Sequence, residues 1–95
     1  MREKFIERKL VQEVKTLGGI ALKFISPGFD GMPDRIVLLP RSKIAFVEVK
    51  APRCKSRPLQ ISRHVLLQRL GFQVCILDST EHISKILKEI GGNTS

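Results

Sequence analysis

The residues that could do chemistry lie near the middle of the chain. Asp34 follows Gly31-Met32-Pro33, and thirteen residues separate it from Glu48-Val49-Lys50. The stretch 44–50 reads as a strand. Side chains alternate along a strand, so Ile44, Phe46, Glu48 and Lys50 share one face, and Ala45, Val47 and Val49 the other. An acid and a base two residues apart on an otherwise apolar face are costly to desolvate. The plain alternative is a strand end emerging into water with a weak exposed ion pair. Asp34 shifts that balance, because it opens the strand before. In an antiparallel pair, the start of the earlier strand lies beside the end of the later one. Asp34 and Glu48 can then converge, with Lys50 next to them. Two converging carboxylates repel unless a cation sits between them. Ligands made only of oxygen suit Mg²⁺ or Mn²⁺. A lysine beside such an ion can orient or deprotonate a water and neutralise charge growing on a phosphate. These are the parts needed for metal-assisted phosphodiester hydrolysis.

Charge points to the same class of substrate. The 95 residues hold 17 Lys and Arg against 9 Asp and Glu, a formal net charge of +8. A compact domain this basic suits a polyanion, nucleic acid before an acidic membrane surface. No acidic residue occurs between Glu48 and Asp78, a window that holds Lys50, Arg53, Lys55, Arg57, Arg63 and Arg69. Arg53, Lys55, Arg57 and Arg63 are expected to bind phosphates, and His64 is a further candidate there. The chain has no Trp or Tyr, which argues against a single-strand binder built on aromatic stacking. Cys54 and Cys75 form no disulfide framework or zinc spacing, and His82 has no metal-ligating company. No apolar run approaches the ~20 residues of a membrane helix. The N-terminus lacks the apolar core of a signal peptide, so an intracellular location is expected.

Seven elements must position these groups. Phe5, Ile6, Leu10, Val11, Val14 and Leu17 are spaced for a helix over 3–17, stopped by Gly18-Gly19. Residues 20–25 predict a strand, 26–33 a turn-rich loop, and 35–39 and 44–50 two further strands of an antiparallel meander. A basic loop, 51–57, leads to a helix over 58–70 that Pro58 can start and Gly71 ends. Residues 72–77 predict a fourth strand. Asp78 or Ser79 would cap a last helix carrying Ile83, Ile86, Leu87 and Ile90. Residues 1–92 read as one α/β domain in the order α-β-β-β-α-β-α, a mixed sheet flanked by helices, with 93–95 as a frayed tail.

Pro33-Asp34 followed by Glu48-Val49-Lys50 resembles the PD-(D/E)xK nuclease superfamily. Gly31-Met32-Pro33-Asp34-Arg35, Phe46-Val47-Glu48-Val49-Lys50-Ala51-Pro52 and Gln60 are similar to the virus-type replication-repair nuclease (VRR-NUC) domain. The resemblance implies a restriction-endonuclease-like core. It also implies Asp34, Glu48 and the Val49 backbone carbonyl as metal ligands, Lys50 as the catalytic lysine and Gln60 in support. It assigns Glu7 from the first helix, directly or through water. Helical geometry alone leaves Glu3 and Glu13 open as alternatives. Asp30 is a minor candidate ligand, read first as a turn former.

The expected activity is therefore a Mg²⁺- or Mn²⁺-dependent endonuclease acting on branched DNA, such as four-way junctions, in replication or repair. A restriction-like nuclease of another niche and a non-catalytic basic binding module are the alternatives. One chain supplies one active site. Leu66 and Leu67 cannot both face one core squarely, which leaves a monomer with an ordinary exposed Leu or a two-fold homodimer. The resemblance to stand-alone family members, which tend to be dimeric, favours the homodimer.

Overall fold

The structure, a computed structural model, describes residues 2–91. The elements are α1 (Glu3–Thr16), β1 (Ile20–Lys23), β2 (Arg35–Leu39), β3 (Lys43–Val49), α2 (Pro58–Arg69), β4 (Gln73–Leu77), a 3₁₀ turn at Thr80–His82, and α3 (Ile83–Gly91). The order matches the one expected from the sequence. The tail proposed for 93–95 lies outside the described residues. Among the described residues, no helix is long and apolar enough to cross a membrane.

The sheet runs β1-β2-β3-β4. The loop 24–34 joins β1 to β2 and a tight turn at 40–42 joins β2 to β3; all three are antiparallel neighbours, with Ile36 opposite Phe46 and Ala21 opposite Val37. β4 joins β3 in parallel, Val47 pairing with Cys75. A parallel pair needs a crossover connection, and α2 supplies it. The crossover brings the first turn of α2 to the end of β3, where Glu48 and Lys50 lie.

Hydrophobic alternation decides which way each strand faces. Ala45, Val47 and Val49 enter the main core with Val37, Cys75 and Leu77. α1 adds Ile6, Leu10 and Val14, four residues apart and each fully buried, as one stripe of a helix requires. α3 closes that layer with Ile83, Ile86, Leu87 and Ile90. Each such side chain stabilises the fold by about 1.5–3 kcal/mol on burial. On the opposite face Phe46 stands edge-on between Phe24 and Phe72, with ring centroids 5.8 and 5.7 Å apart. α2 packs on this face along β4. Leu22 on β1, Leu38 on β2 and Ile44 on β3 remain exposed there.

α1, α2 and β4 each fall one residue short of expectation, at Leu17, Leu70 and Phe72, and three further local expectations change. β1 stops at Lys23 rather than at residue 25: Phe24 still donates its N–H to the Asp34 carbonyl at 2.8 Å, but Ile25 finds nothing to pack on and is exposed. β3 is assigned one residue earlier at each end, although the Lys50 N–H prolongs the ladder to Leu77 O at 2.9 Å. The last helix starts through the 3₁₀ turn, and Ser79 precedes it without a side-chain cap.

Gly19 sits where α1 hands over to β1. A Cβ there would run into the Leu38 carbonyl oxygen and come within 2.8 Å of Leu39 Cδ2. Backbone cannot give way as a side-chain tip can, so Gly19→Ala should cost about 3 kcal/mol. Urea unfolding measures this as a lowered midpoint at unchanged slope.

Candidate active site

The antiparallel register of β2 and β3 sets the first pair. Arg35 lies opposite Val47, so Asp34, one residue earlier, falls beside Glu48 and Val49. Asp34 Oδ2 accepts the Val49 N–H at 3.0 Å. That bond ties the loop before β2 to the end of β3. It also leaves the second Asp34 oxygen outside this bond.

Glu48 is only 2% exposed. Alternation puts it on the α2 side, because Val47 and Val49 occupy the core side. Gln60 Nε2 donates to Glu48 Oε2 at 3.1 Å, and the Lys50 ammonium stands 3.5 Å from the same oxygen. Gln60 Oε1 accepts from Lys50 Nζ at 2.8 Å and from the Arg57 N–H at 3.0 Å. One amide therefore closes the first turn of α2, orients the lysine and anchors one carboxylate oxygen. Glu48 Oε1 is buried and has no hydrogen-bond partner. Burial, and then the Asp34 charge, push the Glu48 pKa up to about 7, against the opposing pull of Lys50.

The loop leading to Asp34 is pinned to α2. The Arg63 guanidinium lies 3.8 Å from the centre of the Phe29 ring, and Arg63 Nε donates to the Asp30 carbonyl at 2.8 Å. Gly31, at φ 89°, makes the close approach possible, since a Cβ there would stand 2.8 Å from Leu59 Cγ. Arg63, expected as a phosphate contact, thus has Nε and one guanidinium face engaged within the protein. Asp30 takes part through its backbone. Nothing in the sequence marks this clamp, because its partners are 33 residues apart.

Two further residues sit elsewhere than expected. Glu7 is bound to Arg35: Arg35 Nε donates to Glu7 Oε2 at 2.6 Å, while Nη1 donates to the Ala21 carbonyl at 3.2 Å. The structure does not join Glu7 to Asp34 and Glu48, and among the described residues no three His, Cys, Asp or Glu side chains gather as a metal cage. His64, expected at the phosphate-facing surface, is 7% exposed and its Nε2 has no partner. Burial, and then the charge of Lys50, lower its pKa, so at neutral pH it is an uncharged interior group. Arg53, Lys55 and Arg57 remain exposed on the loop before α2.

Two carboxylates, an unpartnered oxygen on one of them and a nearby backbone carbonyl on Val49 are hard oxygen donors of the kind that Mg²⁺ or Mn²⁺ takes. The residues fit such an ion.

A four-stranded mixed sheet that displays this acid, acid, lysine set at one end defines the α/β, restriction-endonuclease-like class of PD-(D/E)xK cores. A solved structure described as a VRR_NUC domain superposes with a TM-score of 0.85 at 31% identity, covering 90% of this chain and 94% of that one. The protein named "Putative nuclease p44" from Acyrthosiphon pisum secondary endosymbiont phage 1 is 52% identical over 90 residues, covering 95% of this chain and 96% of the phage protein. No family model matches the chain. From the relative and the superposed structure together, the chain belongs to the VRR-NUC family.

The Glu48 environment makes a stability test possible. A carboxyl group whose folded pKa is raised from 4.5 to about 7 favours the fold while protonated. That contribution is complete below the unfolded pKa and is lost as pH rises through the folded value. In chelator, Glu48→Gln should match wild type near pH ~4.5 and exceed its stability by roughly 1–3 kcal/mol above pH ~7. Added Mn²⁺ should raise the melting temperature of wild type alone. Thermal melts at the two pH values, with and without the ion, check both points.

Proposed function

We propose that this protein is a metal-dependent endonuclease that hydrolyses phosphodiester bonds in DNA, with branched DNA such as four-way junctions as its substrate in replication or repair. The observation that carries the reading is the convergence of Asp34, the unpartnered Glu48 Oε1 and the Gln60-held Lys50 at one end of the sheet. The name of the phage relative supports nuclease activity; the oxygen donors of Asp34, Glu48 and Val49 support a divalent metal, and the branched substrate is part of the proposal.

Asp34, Glu48 and the Val49 carbonyl would hold Mg²⁺ or Mn²⁺. Such an ion supplies Lewis acidity at a phosphoryl oxygen and eases deprotonation of a bound water. Lys50 does the rest from a fixed position. Its ammonium bonds to Gln60 Oε1 at 2.8 Å, so its rotamer is set before substrate arrives. It can neutralise charge on the phosphate as the transition state forms, at no cost in reorganisation. Arg53, Lys55 and Arg57, exposed just beyond β3, would meet the phosphates flanking the cut and carry no sequence information. Glu7 acts at one remove, by holding Arg35 beside Asp34.

A homodimer fits the surface as well as the chemistry. Leu67 is buried under α2 while Leu66 is 38% exposed. Leu22, Leu38 and Ile44 lie on the same open side of the sheet. A second copy covering that face would give two active sites related by a two-fold axis, which suits paired cuts in a four-way junction.

Lys50→Ala should cut a labelled four-way junction at least 10²-fold more slowly while folding normally and binding DNA. Wild type should lose all cleavage in EDTA and regain it with Mg²⁺ or Mn²⁺. A lysine variant of near-normal rate would remove the catalytic assignment, and full activity in chelator would remove the metal.

The dimer has its own measurement. Wild type should sediment at micromolar concentration with twice the mass of one chain, and Leu38→Glu should return it to one.

A further inference from the structure

The end of the sheet far from Asp34 and Glu48 carries a second concentration of positive charge. β2 and β3 join there through Pro40, Arg41 and Ser42, with Leu39 opposite Lys43. Arg41 and Ser42 have φ values of 69° and 63°. This left-handed region is easy for glycine and asparagine and strained for most other residues. An Asn-Gly pair is the usual strain-free solution in a tight hairpin. Here the turn instead presents an arginine and a serine, and Lys43 follows; all three are exposed.

The helices converge on the same end. Gly18, just after α1, lies against Pro40: a Cβ on it would be 3.6 Å from Pro40 Cγ. That brings Lys15, in the last turn of α1, to this pole. α2 crosses back from the end of β3 to the start of β4, and its last turn holds Arg69. α3 ends here too, with Gly91 close to Leu39 and Lys88 in its last turn. Glu13 and Glu89 are the acidic residues near this end. Glu3, Glu7, Asp30, Asp34, Glu48, Asp78 and Glu81 sit on segments at or leading from the other end. Among the described residues, no ion pair engages Lys15, Arg41, Lys43, Arg69 or Lys88.

Helix dipoles account for cations in last turns. They do not account for Arg41 and Lys43, which belong to no helix. A turn that holds two residues in a conformation they resist keeps them for their side chains rather than for its own stability. We propose that this pole, centred on Arg41 and Lys43, is a second nucleic-acid surface that grips the phosphate backbone of a duplex arm leading away from the active site. The proposal rests on the nuclease reading above. Glu48 lies five residue steps along the strand from Lys43, about 17 Å at ~3.4 Å per residue. The same span is about five base pairs of duplex at ~3.4 Å per pair. An arm longer than that reaches both ends of the sheet; a shorter one reaches the active-site end alone. Ser42 adds a neutral donor at the tip, of the kind that phosphate oxygens accept.

The test is fluorescence anisotropy with labelled four-way junctions of short and long arms, in chelator so that no cutting occurs, over a range of salt. For long arms, Arg41→Gln/Lys43→Gln should weaken binding roughly tenfold or more at ~0.1 M salt and lower the log–log salt slope by about one to two units. With arms shorter than about five base pairs it should change neither. Arg53→Gln/Lys55→Gln, at the active-site end, should weaken both substrates. Arg41→Asn/Ser42→Gly should melt at a higher temperature than wild type and still bind long arms more weakly. Unchanged long-arm affinity and slope in the Arg41/Lys43 variant would overturn the second surface while leaving the nuclease reading intact. An equal loss on both arm lengths would also overturn it. Failure of wild type to bind either junction would instead remove the nucleic-acid reading on which the proposal stands.

Discussion

Glu48 is a carboxylate inside the protein with one oxygen held and the other left alone. The strand that carries it cannot turn it out. Ala45, Val47 and Val49 alternate with it and fill the core between the sheet, α1 and α3. A slip of one residue in the β2–β3 register would send those three apolar side chains to the α2 face and drive Glu48 into the main core. The hydrophobic pattern thus fixes the direction of the charge. The charge in turn dictates what α2 and the loop before β2 must bring to it.

α2 meets that demand at successive turns. Gln60 bonds to Glu48 and Lys50 while its Oε1 also takes the Arg57 N–H at the start of the helix. Helix initiation and site organisation therefore share one side chain, and neither can shift without the other. One turn on, Arg63 holds the loop that ends in Asp34. His64 and Leu67 face inward and seat the helix on the sheet. The parallel crossover is what makes this possible: a hairpin in its place would have left the end of β3 uncovered.

Much of this was legible in the sequence. Alternation over 44–50 and a short hairpin are local properties, and together they fix the face of Glu48 and the meeting with Asp34. The element order followed from helical and strand periodicity, and its boundaries moved by a residue or two where local packing ran out, as at Ile25. What the sequence hid was pairing over distance. Glu7 with Arg35 spans 28 residues, and Arg63 with Asp30 spans 33. Charged side chains carry no periodicity that announces a partner, so a run of arginines reads as one uniform surface until the fold assigns each a task. α2 was harder still. Val65 and Leu66 are exposed while His64 is buried, so its apolar residues do not mark the inward face.

The carboxylates differ in how far the protein answers their charge. Glu7 has a guanidinium 2.6 Å away; its charge is answered, and it links α1 to β2 next to Asp34. Glu48 has an amide and an ammonium on a single oxygen, and still its pKa is pushed up to about 7. An ionised group in that setting is under-compensated by the protein alone. The protein does not complete its partners with a further donor from α2. The chain instead puts a neutral, buried imidazole in the second turn of that helix and leaves Glu48 Oε1 without a hydrogen bond. A site already neutral would gain little from a cation. One that holds uncompensated negative charge in a water-poor pocket gains the full attraction when a divalent ion arrives. On the metal-dependent reading proposed above, the deficit at Glu48 would be a source of affinity, kept by the same packing that prevents the carboxylate from escaping to water.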